Sequence, residues 1–202
     1  MTLTKKLLIT VVCLSVILCV MVAGTIAWLK DNTQEITNTF TPSNIGITLT
    51  ETEHGVDYKF QMIPGKTYDK NPSVTVTTDI ACYVFVKVDE KIGLFTYKDS
   101  QNNDVTATFA AYLQYDMASG WIAIDGVPGV YYREVSANDT FDVIHGNTVS
   151  VPGAVTKAMM EALKTAGATN YPTLTFTAYA IQQYGFDTAA DAWAELNPPA
   201  QP

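Results

Sequence analysis

Two histidines are the side chains best suited to acid–base or metal chemistry here, His54 in "TEHGVD" and His145 in "VIHGN". Neither belongs to an HExxH motif or to a His/Cys spacing that suits zinc. The sequence also contains no nucleophile elbow, Walker loop or glycine-rich dinucleotide fingerprint. Because no motif brings an acid, a base and an oxyanion donor together, the sequence predicts no enzyme, no metal site and no cofactor.

The stretch "KDSQNNDV", residues 98–105, is rich in the oxygen ligands that calcium prefers. It lacks the DxDxDG order and the distal glutamate of an EF-hand loop. We therefore interpret it as an ordinary solvated loop. The acidic residues 89–90 and 139–142 are interpreted in the same way, as exposed ends of strands.

Alternation with period two dominates the chain after Trp28, and turn residues bound each alternating run. β-branched and aromatic residues fill these runs, as a half-buried pleated surface favours. The longest run places Leu174, Phe176, Ala178 and Ala180 on one face. The pattern predicts strands over residues 45–51, 72–79, 82–90, 130–135, 141–146 and 171–185.

Two stretches have helical spacing instead, residues 153–167 and 187–196. Gly167 suits the end of the first, and Trp193 should face inward from the second. Many short strands with few helices predict a mainly β fold, an antiparallel β-sandwich with one or two short helices.

Cysteine usage excludes an internal disulfide in the domain that follows the apolar leader. Cys13 and Cys19 lie within the apolar run, so Cys82 alone remains after it. Alternation places Cys82 on the face of Val84 and Val86, which predicts a buried thiol.

The N-terminus reads as an export signal, because Lys5 and Lys6 precede a long apolar run. Thr25 and Ala27 occupy the −3 and −1 positions of a cleavage before Trp28. The alternative is an uncleaved anchor, because residues 7–29 carry no charge and could span a bilayer. Both interpretations place the residues after Leu29 outside the cell.

The charge balance excludes two classes of partner. Twelve Lys and Arg face twenty Asp and Glu, a net charge of −8. Phosphates of nucleic acids and anionic lipids repel such a chain, so we expect no nucleic-acid partner and membrane contact only through the leader.

The leader resembles that of the TasA/camelysin family, in which Gly-Thr-x-Ala precedes an aromatic residue and an aspartate. Here these residues are Gly24, Thr25, Ala27, Trp28 and Asp31. The segments "IGITLTE", "MIPGKTYDKNPSVTV" and "LTFTAYAIQQYGF" resemble the family's first strand, its "PG" loop and its closing strand. The likeness covers residues 5–90 and 171–186, whereas residues 91–170 depart from it.

The resemblance implies cleavage by a SipW-type signal peptidase, secretion and a jelly-roll-like sandwich. It also implies fibres of the biofilm matrix, in which the N-terminal arm of one subunit completes the sheet of the next. The division expected is a signal peptide (1–27), an arm (28–44), a sandwich (45–186) and a short helix with a tail (187–202). In an extended arm, Ile36 and Phe40 share a face and, with Trp28, supply the apolar anchors.

Three alternatives stay open. The arm could fold back onto its own domain, which would leave a monomer. The protein could be a surface or matrix module that binds glycan or a host protein through Trp121, Tyr131 and Tyr132. A camelysin-like metallopeptidase is the third, although the sequence offers it no zinc motif.

Overall fold

The computed structural model describes residues 43–51 and 59–196, together with residues 3, 5, 8 and 11–15. The chain divides into two compact units, Met1–Thr41 and Pro42–Pro202. The described positions among the first fifteen residues are helical and exposed. Among the described residues, no helix combines the length and the apolar character that a membrane crossing needs.

The second unit is built mainly from β-strands, which its alternating, β-branched sequence favours. Its helices are α1 (Phe109–Tyr112), α2 (Lys157–Ala166) and α3 (Ala189–Leu196). Its strands are β1 (Ile45–Glu51), β2 (Thr67–Asp69), β3 (Pro72–Thr78), β4 (Cys82–Lys91), β5 (Thr96–Lys98), β6 (Asp104–Thr106), β7 (Ile122–Ala123), β8 (Val130–Val135), β9 (Asp139–Asp142), β10 (Thr148–Ser150) and β11 (Thr173–Gln182).

Every strand pair described is antiparallel. One sheet has the order β1-β3-β9, and a second has the order β11-β4-β8-β7. Two further pairs, β10-β2 and β5-β6, form separate two-stranded ribbons. The prediction of a mainly β, antiparallel fold with a few short helices is therefore confirmed.

The principal core, here called the inter-sheet core, lies between the two larger sheets. Val74 and Val76 of β3 and Val84 and Val86 of β4 are fully buried there. Cys82 is fully buried in the same core, as its alternation predicted. The predicted apolar face of β11 also packs against this core.

The opposite face of β4 is buried as well, because α3 covers it. Tyr83 and Phe85 point to this side, and the ring centroids of Phe85 and Trp193 lie 5.3 Å apart. The predicted helix over residues 187–196 is thus observed, with Trp193 only 7% exposed. The Thr188 hydroxyl accepts the Asp191 N–H at 3.2 Å and caps the first turn.

The other predicted helix appears as α2, four residues shorter at its start than the apolar pattern suggested. Thr156 caps it by accepting the Met159 N–H, and Gly167 ends it with φ of 90°. Met159 and Leu163 are buried in a third cluster, which includes Tyr112. The Tyr112 hydroxyl donates to the Met159 carbonyl at 3.1 Å and joins α1 to α2.

The run predicted as a strand over residues 141–146 ends early. β9 stops at Asp142, and a 3₁₀ turn covers His145–Asn147. Val143 and Ile144 are nevertheless fully buried. Their apolar character reflects burial in the inter-sheet core, whereas Gly146, at φ 62°, turns the chain out of the strand.

Candidate functional site

The residues that the sequence singled out for processing and assembly lie outside the described residues. They are the cleavage positions Thr25, Ala27 and Trp28 and the arm anchors Trp28, Ile36 and Phe40. The described part of the chain does contain a surface with the properties expected of a partner for such an arm, and it begins where the arm ends.

This surface, here called the open flank, lies along β1 and β11. The two strands are neighbours in space and occupy one edge of each larger sheet. Within residues 43–51 and 59–196, no strand pairs with the outer edge of either. Their inward side chains pack on the inter-sheet core yet remain half-buried: Ile45, Ile47, Leu49, Leu174, Phe176, Ala178 and Ala180.

The backbone of β11 presents unpaired hydrogen-bonding groups at this flank. The Gln183 N–H donates to the Ala81 carbonyl at 2.9 Å, and the register pairs Gln182 with Cys82. Bonded and non-bonded pairs alternate along antiparallel strands. Odd-numbered residues of β11 therefore bond to β4, and the N–H and C=O groups at the free edge include those of Leu174, Phe176, Ala178 and Ala180.

The same alternation holds for β1. The Val143 N–H donates to the Pro72 carbonyl at 2.9 Å, so even-numbered residues of β3 bond towards β9. Odd-numbered residues of β3 then bond to β1, where the register pairs them with Gly46, Thr48 and Thr50. The free edge belongs to the residues with inward apolar side chains, Ile45, Ile47 and Leu49. Each exposed edge thus combines backbone donors with partly covered apolar surface.

A half-buried ion pair lies at one end of the open flank, at the last residue of β1. The Lys70 ammonium lies 2.7 Å from Glu51 Oε2, and it also lies 5.5 Å from the centre of the Phe176 ring. Glu51 Oε1 is buried and has no hydrogen-bond partner among the described residues. This pair ties β1 to the loop before β3 and holds one end of the flank in place.

The structure describes some of the other polar residues that the sequence singled out. His145 is exposed in its 3₁₀ turn, whereas His54 lies outside the described residues. Among the described residues, no cluster of three His, Cys, Asp or Glu side chains could hold a metal. In the loop 98–105, Asp99 accepts the N–H groups of Gln101 and Asn103 at 2.8 Å each. The hydrogen bonds from Asn103 lower the pKa of Asp99.

The aromatic residues considered for glycan stacking are buried or half-buried. Trp121 is 9% exposed and donates its indole N–H to the Asp142 carbonyl at 2.8 Å. Tyr131 and Tyr132 are half-buried within β8. The Arg133 guanidinium lies 4.9 Å from the Trp121 ring centre, and burial lowers its pKa. It also lies 4.6 Å from the Phe141 ring centre, so Trp121 and Arg133 both contact β9.

Comparison of the chain with protein-family models, with curated proteins and with solved structures finds no match.

Proposed function

We propose that this protein is a secreted structural component of the extracellular matrix that assembles into fibres. In this proposal a SipW-type signal peptidase cuts between Ala27 and Trp28. The freed arm of one subunit then adds as a strand to the open flank of the next. The leader would prevent premature assembly, because it holds the arm until cleavage. The resemblance of the leader and of three strand segments to the TasA/camelysin family supports this proposal.

The open flank is the observation that carries the proposal. An unpaired edge in an exported β protein is a liability that must be covered or paired. Strand addition satisfies the backbone groups of such an edge, while pockets for alternate side chains set the register. Here the groups at the β11 edge belong to the residues whose side chains are half-buried. An added strand would therefore gain hydrogen bonds and apolar contacts together.

The energies are of the right order for such an interaction. Each apolar anchor that becomes buried contributes about 1.5–3 kcal/mol, and each added ladder bond contributes about 0.5–1.5 kcal/mol. Two or three anchors and several bonds oppose the cost of ordering the arm. Because donor and acceptor are different surfaces, the contact is head-to-tail, and it propagates into a filament when the rotation between subunits does not close a ring.

The strand connections also support the jelly-roll form of sandwich in this proposal. β3 continues into β4 across the two sheets, and β8 continues into β9. β3 pairs with β9 and β4 pairs with β8, so the segments β3–β4 and β8–β9 form one long antiparallel ribbon that runs through both sheets. Jelly rolls likewise consist of two packed antiparallel sheets.

Two truncations test the function. Protein that begins at Trp28 should form filaments visible by electron microscopy, and removal of residues 28–40 should abolish them. Removal of residues 197–202 is the matched control, because it shortens the other terminus and should leave the filaments unchanged. Filaments formed equally well without residues 28–40 would overturn the proposal.

A further inference from the structure

A polar cleft with a volume of about 410 Å³ lies beside one end of the open flank, where the rings of Tyr115 and Phe176 are 6.3 Å apart. All of its lining residues belong to the described part of the chain. Its walls come from the β2–β10 ribbon, from α1 and the segment that follows it, and from the end of β4. Ligand pockets in proteins commonly have volumes of about 300–1,000 Å³, so this cleft can hold a small molecule.

One wall of the cleft is a row of hydroxyl groups. Ser150 lies directly opposite Thr67 in the ribbon, and Thr148 lies two residues before Ser150. Because side chains alternate along a strand, these three share one face. Val149, which is buried, and Tyr68, which packs against the third cluster, lie on the other face. The ribbon is thus apolar on one side and hydroxylated on the other.

The facing wall carries two carboxylates and an imidazole. The Tyr115 hydroxyl donates to Glu90 Oε1 at 2.6 Å, which orients that carboxylate. Burial and the nearby Glu90 raise the pKa of Tyr115, so its hydroxyl stays a donor at neutral pH. The side chains of Asp116 and His145 are exposed and make no hydrogen bond within the described residues. Both are therefore available to a ligand.

The backbone holds the two walls in register before any ligand arrives. Gln114 and Ser150 exchange two backbone hydrogen bonds of 2.9 Å. The His145 N–H donates to the Asp116 carbonyl at 2.8 Å. The cleft needs little reorganisation on binding, since preorganised groups lose little entropy.

The chemistry of the lining selects the ligand. Neither Lys nor Arg lines the cleft, and two carboxylates do, so phosphate, sulfate and uronate groups are repelled. Hydroxyl, amide and imidazole groups outnumber the carboxylates, and Phe109 and Leu113 add an apolar floor. A sugar ring presents hydroxyl groups around apolar C–H faces, and carboxylates accept strong hydrogen bonds from hydroxyls. A basic side chain would form ion pairs with the carboxylates, but the hydroxyl groups of the ribbon would gain no hydrogen-bond partner from it.

We propose that this cleft binds one or two residues of a neutral glycan, with Glu90 and Asp116 as acceptors for sugar hydroxyls. Fibre assembly at the open flank and glycan binding at the cleft use different residues, and the two surfaces meet where Tyr115 contacts Phe176.

The experiment uses the whole chain as isolated from the cells that express it. Cellotriose and triacetylchitotriose are titrated by isothermal calorimetry, alongside trigalacturonate and N-acetyl-lysine amide. At least one neutral trisaccharide should bind saturably, whereas trigalacturonate should not. Glu90→Gln and Asp116→Asn should each weaken binding by about tenfold. Asp125→Asn is the matched control, because Asp125 is equally exposed but lies outside the cleft.

A second measurement needs no variant. During titration of the wild-type chain, the backbone amide NMR signals of Gln114 and Thr148 should shift together with saturation. Three results would overturn the proposal: failure of both neutral trisaccharides to bind, binding that both carboxamide variants leave unchanged, or preference for the lysine amide. The last result would assign the cleft to a basic peptide.

Discussion

Replacement of Ala178 by proline tests the acceptor edge without disturbing the rest of the fold. The Ala178 N–H lies at the free edge of β11, so proline there removes no bond to β4. Edge strands tolerate proline where the N–H faces outward. We expect Ala178→Pro to fold with a stability close to that of the wild type.

The same substitution should impair fibre growth. It removes one of the outward N–H groups of β11 and leaves a carbonyl of the added strand buried without a donor. Such an unpaired group costs about 1–3 kcal/mol, which corresponds to a critical concentration raised by about 5- to 150-fold. Sedimentation of filaments across a series of protein concentrations measures this value directly.

Thr177→Pro is the matched control, because the Thr177 N–H bonds to β4. That variant should lose about 1–3 kcal/mol of unfolding free energy in urea. The reasoning fails if Ala178→Pro is as stable as the wild type and also polymerises at the same critical concentration. The edge of β11 would then not be the acceptor.

Three further predictions concern the stability of the folded unit, measured by urea unfolding. Trp193→Ala should cost about 3–5 kcal/mol, because the ring is 7% exposed and packs on two other aromatic rings. Gly129→Ala should lower the free energy of unfolding more than Gly126→Ala does. Both glycines have positive φ, but a Cβ at Gly129 would lie 2.6 Å from the Val88 carbonyl oxygen, whereas a Cβ at Gly126 would meet open space. Equal losses of unfolding free energy would contradict this reason. Burial raises the pKa of Tyr112 to about 12 from an ordinary value of 10.0, so between these values the folded state keeps a proton that the unfolded chain releases. The contribution of Tyr112 to stability should therefore be complete below pH 10 and decline between pH 10 and 12. Tyr112→Phe should make that decline shallower.

The sequence predicted the long strands well, because one face of each is apolar. β1 and β8 have the bounds that their alternation predicted, and β3 and β4 differ by one residue at one end. The strands of two or three residues, such as β2 and β10, were missed, because so short a run carries no period. The predicted extent of β9 was wrong. Val143 and Ile144 are apolar because they are buried outside a strand, and the sequence alone does not distinguish this from the apolar face of a strand.

The sequence could not predict the surfaces. The apolar face of β11 is visible in its alternation, but its position at a sheet edge depends on which strands pair. The cleft was missed for the same reason, because Thr67, Glu90, Asp116 and Thr148 meet only through long-range pairing. No sequence motif predicted the cleft, because each of these residues taken alone is typical of an exposed polar position.

Cross-linking between subunits tests strand donation most directly. One batch of protein that begins at Trp28 carries Asn38→Cys, a second carries Gln182→Cys, and a third carries both. The native cysteines do not interfere, because Cys13 and Cys19 precede Trp28 and Cys82 is fully buried. With a short bismaleimide, mixing the first two batches should give linked dimers that contain one chain of each kind. Links found only within single chains of the double variant would show that the arm folds back on its own domain, and would contradict the account.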